Sequence, residues 1–300
     1  MNQEFLRLFL DKTHFPPEAA QFLGQAGEKL AAPSLASQMD SAQALFYSNN
    51  FSIEKTQPLI HQMAHEAGIS PYTQWMLFLI HAAKQAREDY LAKGIGEDVF
   101  WATFEDLKYK ALECKEIHGV WGTFVAFWYP IFYSCDIVKL GRLEFESATF
   151  HGQPCQACGV SLSPGDAVKN IHIPSSGEPF DLEARLDSYR RAQAFFRGER
   201  EDGRLVCVCH SWLLYPGYKD VLPENSNIRS FMDDFTILEV DEGEGFDDAW
   251  RVFGPDAQKP PEELPEKTSM QRAFKRHLLN GGKTGAALGL LVFDGEKLGR

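Results

Sequence analysis

Two strand-like segments in the second half of the chain carry most of its reactive side chains. Asp166–Pro174 (DAVKNIHIP) holds His172, and Arg204–Leu214 (RLVCVCHSWLL) holds Cys207, Cys209, His210 and Ser211. An imidazole can take up and return a proton near neutral pH, and thiols serve as nucleophiles or soft metal ligands. Between the segments lie the loop Pro174–Phe180 (PSSGEPF) and a helix that starts at about Asp181. Backbone N–H groups at a helix N-terminus attract anions, through hydrogen bonds and through the helix dipole. The strand–loop–helix–strand unit therefore reads as a place for an anionic cofactor, with a plain strand-to-helix connection as the alternative.

Cys155-x-x-Cys158 together with Cys207-x-Cys209 and His210 has the residue types of a tetrahedral zinc site. On a strand, however, Cys207 and Cys209 point one way and His210 the other, so only the four cysteines would converge. Small buried strand cysteines are the simpler expectation, and no metal is expected. Pro154 and Gly159 place Cys155 and Cys158 in a surface turn. The same alternation separates Cys209 from His210 as a nucleophile pair and leaves Cys209 with His172 as the geometric option. Either histidine is also readily a hydrogen-bonded structural residue. Arg142, Glu144 and Glu146 alternate with Leu143 and Phe145; their polar face is expected in solvent, with a cleft wall as the alternative.

The elements that position these residues differ between the two halves of the chain. Ser70 and Pro71 give an N-cap and a first-turn proline to an amphipathic helix carrying Trp75, Phe78, Leu79, Ala82 and Ala86, which ends at Gly94. Helices are also expected around Leu59–Ala67 and Phe100–Ala111, and shorter ones over Glu4–Phe9, Pro17–Leu30 and Asp40–Phe46, the last two separated by an Ala-Pro-Ser loop. The aromatic stretch Val120–Ser134 is read as a buried helix. From Leu140 the period changes to two: Leu140–Ser147, Thr236–Val240 and Ala286–Phe293 read as strands, with helices at Asp181–Phe196, after Ser226-Asn227 and, from a Thr268/Gln271 capping box, over Ser269–Leu279. The expected organisation is α+β, with a helical domain over residues 1–137 and a mixed α/β sheet domain over 138–300.

Composition excludes several classes. The 300 residues are 44% hydrophobic and 24% charged, enough for two domains that each bury a core. A formal net charge of −12 with no basic run argues against nucleic acid as a partner. The longest apolar run, Trp75–Ile80, is too short for a bilayer, so no membrane partner is expected. The N-terminus shows no export pattern, the six cysteines read as thiols, and a cytoplasmic location is expected.

A helical first domain followed by LGRLEFE (140–146), GDAVKNIHIP (165–174), CVCHSWLLYP (207–216) and SNIRSFMDDF (226–235) resembles the bacterial two-domain acyltransferases. These join an N-acyltransferase N-terminal domain to a GNAT-like C-terminal domain. The resemblance implies that an acyl-CoA lies between two splayed parallel strands, its pyrophosphate held by amides at the start of the following helix. Carried onto this chain, it implies donor binding by Ile173, Ser175, Ser176, Gly177 and Asp181. The family's Q/R-x-x-G-x-G/A phosphate loop is absent, and Ser175-Ser176-Gly177 replaces it only in part. The implied reaction is acyl transfer from coenzyme A to an amine, with His172, His210 or Glu144 as general base. A backbone amide of the second strand would hold the oxyanion, and Tyr215 or Tyr218 would act as acid. The competing expectations are a GNAT-like binding module without turnover and a zinc-stabilised interaction domain.

Overall fold

The structure, a computed structural model, describes residues 1–243 and 245–299. They form two compact units: Met1–Lys139 with Pro174–Ser176, and Leu140–Ile173 with the chain from Gly177 on.

Helices make up the first unit: α1 (Gln3–Lys12), α2 (Pro17–Lys29), α3 (Pro33–Ser48), α4 (Ile53–Ala67), α5 (Pro71–Ala92), α6 (Glu97–Phe104), α7 (Asp106–His118) and the single turn α8 (Pro130–Tyr133). The start signals act as the sequence indicates. Asn2, Ser52 and Ser70 accept hydrogen bonds from the N–H groups of Phe5, Lys55 and Tyr72, satisfying donors that have no partner inside the helix. Long and largely buried, α5 packs against each of the other seven helices. Around it Phe46, Phe78, Phe104 and Tyr133 meet edge to face at 5.1–5.5 Å, and Tyr133 donates to the Leu79 carbonyl at 2.5 Å.

Two expectations are corrected here. Pro33 does not sit in a loop before a helix at Asp40; it occupies the first turn of α3, where its missing N–H costs nothing. Val120–Ser134 is not one helix but an irregular segment with a 3₁₀ turn at Ala126–Trp128 and α8. Its start is tied to α5 by Thr123 N–H to the Tyr72 carbonyl and by Thr73 Oγ1 to the Trp121 carbonyl. Among the described residues no strand precedes Ile137, and no helix is long and apolar enough to cross a membrane.

The second unit is built on a mixed sheet. Its strands are β2 (Leu143–Thr149), β5 (Ala167–His172), β6 (Leu205–Ser211), β7 (Thr236–Gly243) and β8 (Thr284–Phe293), in the spatial order β2-β5-β6-β8-β7. The sheet's sixth strand, β1 (Ile137–Leu140), crosses the boundary between the units, so Leu140–Ser147 is two strands broken at Gly141-Arg142 rather than one. A separate hairpin pairs β3 (Cys155–Ala157) with β4 (Val160–Leu162). Its two-residue loop is Cys158-Gly159, and both residues have positive φ (52° and 71°), as a hairpin twisted like its strands requires.

The helices of this unit are α9 (Leu182–Phe196), α10 (Asn227–Met232), α11 (Ala249–Phe253) and α12 (Ser269–Leu279). The capping box at Thr268 and Gln271 is formed in both directions. One sheet face packs under α9, where the ring of Phe196 meets Phe145 at 6.5 Å and the Lys169 ammonium at 4.0 Å. Val168, Val206, Val208, Leu290 and Val292 point to the opposite face, under Phe150, Val160 and Leu162 of the hairpin arm.

Asp234, between α10 and β7, is buried with α9: Arg185 Nε donates to Asp234 Oδ2 at 2.6 Å and Tyr189 Oη donates to the same oxygen at 2.9 Å. Removing one member of a buried ion pair leaves the other charge uncompensated. Asp234→Ala is therefore expected to cost about 3–5 kcal/mol of stability in chemical denaturation; a loss below about 1 kcal/mol would show that water reaches Arg185.

Candidate active site

The strands β5 and β6 are parallel neighbours, yet only Lys169–Cys207 and Asn170–Val208 pair. Beyond that point each strand stays in its other ladder: β5 remains paired with β2 to Glu144–His172, and β6 remains paired with β8 to Ser211–Ala287. The ladder between them ends while both strands continue, which opens a gap at their C-terminal ends. Two local features keep the strands from rejoining further on. Pro174 has no N–H to extend the ladder, and after Ser211 the chain turns into a 3₁₀ segment, Trp212–Leu214, capped by Ser211 Oγ accepting from Leu213 N–H. The strand expected over Arg204–Leu214 is therefore shorter than its apolar run.

Register places both histidines at this gap. Asn170 is opposite Val208, so two residues on His172 and His210 are level and share the face that carries Val168 and Val208. The two are not equivalent. His172 is half-buried and its Nε2 lies 2.7 Å from Glu146 Oε2, to which Asn170 Nδ2 also donates at 3.0 Å. Burial pushes the Glu146 carboxyl up, but hydrogen bonds from His172 and Asn170 and the imidazole charge outweigh it and hold the group below the usual carboxylate range. The contact between Glu146 and Nε2 holds the plane of the His172 ring. His210 is exposed, with Nε2 2.9 Å from Asp241 Oδ2 on β7.

The polar face of β2 is not solvated as expected. Register opposite β5 puts Glu144 beside His172 and Glu146 beside Asn170, and Glu144 is buried. Arg142 lies in the turn before β2, where its Nε donates to the Glu178 carbonyl at 3.3 Å and its guanidinium sits 5.3 Å from the Phe180 ring.

Ile173 directly follows β5, and Ser175 and Ser176 group with the first unit, where Ser176 N–H donates to the Pro174 carbonyl at 2.8 Å. Gly177 opens the approach to α9 with φ +73°, and an added Cβ there would meet open space but would force a left-handed side-chain residue. Asp181 is the N-cap of α9 and accepts from Ala184 N–H at 2.9 Å. Its carboxylate thus uses one first-turn amide itself, and Glu183 adds a second negative charge. An anion at this terminus would have the remaining first-turn amides and the nearby Arg142 guanidinium as its attractions.

Tyr215 is nearly buried, and its hydroxyl donates to Glu242 Oε1 at 2.9 Å; burial and then Glu242 raise its pKa, so it remains a phenol. The four cysteines do not form one cluster. Cys207 and Cys209 alternate onto the α9 face and are fully buried, whereas Cys155 and Cys158 belong to the hairpin packed over the other face. Burial pushes the Cys209 thiol up to about 12 and the Cys207 thiol higher still, so neither is a thiolate nucleophile. Among the described residues no group of three or more His, Cys, Asp or Glu side chains is placed to hold a metal ion.

Residues 137–291 match the GNAT-like C-terminal domain family, and residues 4–135 match the N-acyltransferase N-terminal domain family. The chain belongs to the GNAT-like acyltransferase family. Its order of domains is the one the resemblance implied, a helical N-acyltransferase domain followed by a GNAT-like domain with a mixed sheet. Among solved structures, an acyltransferase mutant in complex with octanoyl-CoA is similar at 22% identity and a TM-score of 0.71, covering 96% of this chain and 87% of that one. An acyltransferase in complex with decanoyl-CoA and teicoplanin is similar at 21% identity and a TM-score of 0.70, covering 95% and 86%. A third, an acyltransferase with decanoyl-CoA, has 20% identity and a TM-score of 0.64, covering 97% and 99%. No curated protein matches the chain.

Sequence reasoning picked out His172 and His210 but missed their carboxylate partners. Glu146 was visible only as one of a polar row, and its pairing with a histidine two positions past its register partner needs the sheet. Asp241 comes from a strand 31 residues downstream of His210, which no local spacing reveals. The depressed Glu146 carboxyl has a consequence for pH. A carboxyl lowered in the folded state contributes stability above its unfolded value of about 4.3, and this is lost as pH falls through the folded value. The melting-temperature gap between wild type and Glu146→Gln should therefore be widest at neutral pH and narrow on acidification; a gap constant from pH 7 to pH 3 would contradict the His172–Glu146 assignment.

Proposed function

We propose that the protein is an acyl-CoA-dependent N-acyltransferase whose donor enters the gap between β5 and β6. The single observation that carries this reading is the pair of parallel strands that stop pairing at Asn170–Val208, with two level histidines where they part. The amide-rich pantetheine arm can continue the ladder that each strand leaves unfinished, much as an added strand does. That route directs the thioester toward His172 and His210, and the diphosphate toward Gly177 and the first turn of α9, with Arg142 alongside.

The chemistry follows from those positions. His172, oriented by Glu146, removes a proton from the acceptor amine as its nitrogen attacks the thioester carbonyl. A backbone N–H of β6 facing the gap stabilises the oxyanion, where a fixed dipole costs no reorganisation. The C–S bond then breaks, and the coenzyme A thiolate takes a proton from the His210–Asp241 pair, giving an amide and a free thiol. Tyr215, with its hydroxyl committed to Glu242, is not the acid in this reading. Glu144 is a buried acidic side chain opposite His172 in the β2–β5 register, so the wall beside His172 carries acidic and not basic side chains. That wall suits an amine better than an anionic acceptor; one similar acyltransferase is seen in complex with decanoyl-CoA and teicoplanin.

The test is release of coenzyme A thiol from octanoyl-CoA across a panel of primary amines, with the acylated amine identified by mass spectrometry. His172→Ala should lower kcat by about 10²–10⁴-fold with little change in donor affinity. Gly177→Val should instead weaken octanoyl-CoA binding by about tenfold, since a β-branched residue resists the left-handed backbone. Failure of the wild type to bind octanoyl-CoA, decanoyl-CoA or acetyl-CoA in calorimetry would sink the reading. Binding of the donor without transfer to any amine would leave a GNAT-like binding module.

A further inference from the structure

The largest fully buried side chain of the second unit is an arginine. Arg185, one turn into α9, is 0% exposed. Its guanidinium makes five hydrogen bonds: Nε and Nη2 to the two oxygens of Asp234 at 2.6 and 3.4 Å, Nη1 to the carbonyls of Phe180 and Asn227 at 3.0 and 3.5 Å, and Nη2 to Ser230 Oγ at 2.9 Å. The rings of Phe180 and Phe231 lie 5.4 and 5.8 Å from the guanidinium carbon and 5.1 Å from each other. One planar fork thus fastens the chain just before the Asp181 cap to the start and middle of α10 and to the entrance of β7.

Stability alone is a poor account of such a group. A buried ion pair gains little over well-packed apolar residues of the same volume, because both charges must leave water. Directed hydrogen bonds to separate backbone points are something apolar packing does not provide, and arginine offers five donors in a fixed geometry where lysine offers a rotating point charge. Phe180 is the residue immediately before the N-cap of α9. Holding its carbonyl sets the direction in which the chain enters the helix, and with it the direction in which the first-turn amides point.

We infer that Arg185 is a positioning residue for the diphosphate of the donor: it does not touch the ligand but fixes the first-turn amides of α9 toward it. The inference rests on the acyl-CoA reading given above, and two ligands separate them. Octanoyl-CoA carries the diphosphate, whereas octanoyl-pantetheine keeps the acyl chain and both pantetheine amides without it. In calorimetric titrations Arg185→Lys should raise the Kd for octanoyl-CoA by about tenfold, the scale of one charge-assisted hydrogen bond, and leave that for octanoyl-pantetheine within about twofold. Ser230→Ala, which removes one neutral acceptor from the fork, should show the same selectivity at about threefold. If Arg185→Lys fails to fold by circular dichroism, the Ser230→Ala result decides. Equal weakening of both ligands, or of neither, overturns the inference while leaving the function in place. No binding of octanoyl-CoA by the wild type overturns both.

Discussion

The arrangement of the candidate site depends on where one parallel ladder stops. Two residue pairs hold β5 to β6, after which each strand remains in its outer ladder and the two diverge. A sheet normally hides its backbone polar groups in continuous pairing, because an amide or carbonyl left without a partner away from water costs free energy. An interior strand pair that parts is therefore a site where another backbone-like group is favoured. The outer ladders make the gap rigid: β5 is held by six register pairs to β2, and β6 by seven to β8. The opening is thus built from the same strands that form the core.

Charge is distributed to suit this opening. The chain is acidic overall, yet on the face at the gap each histidine is matched to its own carboxylate, Glu146 for His172 and Asp241 for His210. The pairs differ in burial, and burial determines how strongly each carboxylate acts. The half-buried Glu146 works against its histidine with less solvent screening than the exposed Asp241 does. The His172 ring is thus held more firmly by its carboxylate than the exposed His210 ring is. The α9 face carries the opposite treatment: the Arg185–Asp234 pair is sealed from water, with Tyr189 satisfying the remaining carboxylate demand. It orders backbone rather than reacting.

Much of this was legible in the sequence, and the remainder was not for identifiable reasons. Periodicity and caps gave the helical first half, the change of period near residue 138, the helix start near Asp181, the Ser226 cap and the Thr268–Gln271 box, because those signals act within four residues. Pro33 was taken as a loop residue but starts a helix, and the aromatic Val120–Ser134, whose composition fits either state, was taken as one helix but forms only short turns. The parity of His172 and His210 could be read strand by strand, but their common level across the gap needed the β5–β6 register. Glu144 was taken as solvent-facing because alternation shows which side a residue faces and not what covers that side. Arg185 was overlooked since a lone arginine on a helix ordinarily faces water; its partners lie 45 and 49 residues away.

The central claim is that the donor completes the unfinished ladder between β5 and β6, and hydrogen–deuterium exchange tests it most directly. The amides of Ile171–Ile173 and Cys209–Ser211 that face the gap should exchange faster than those of Lys169, Asn170, Cys207 and Val208 in the free protein, and octanoyl-CoA should slow them selectively. Gap-facing amides already protected without ligand, or unchanged with octanoyl-CoA bound, would contradict the account.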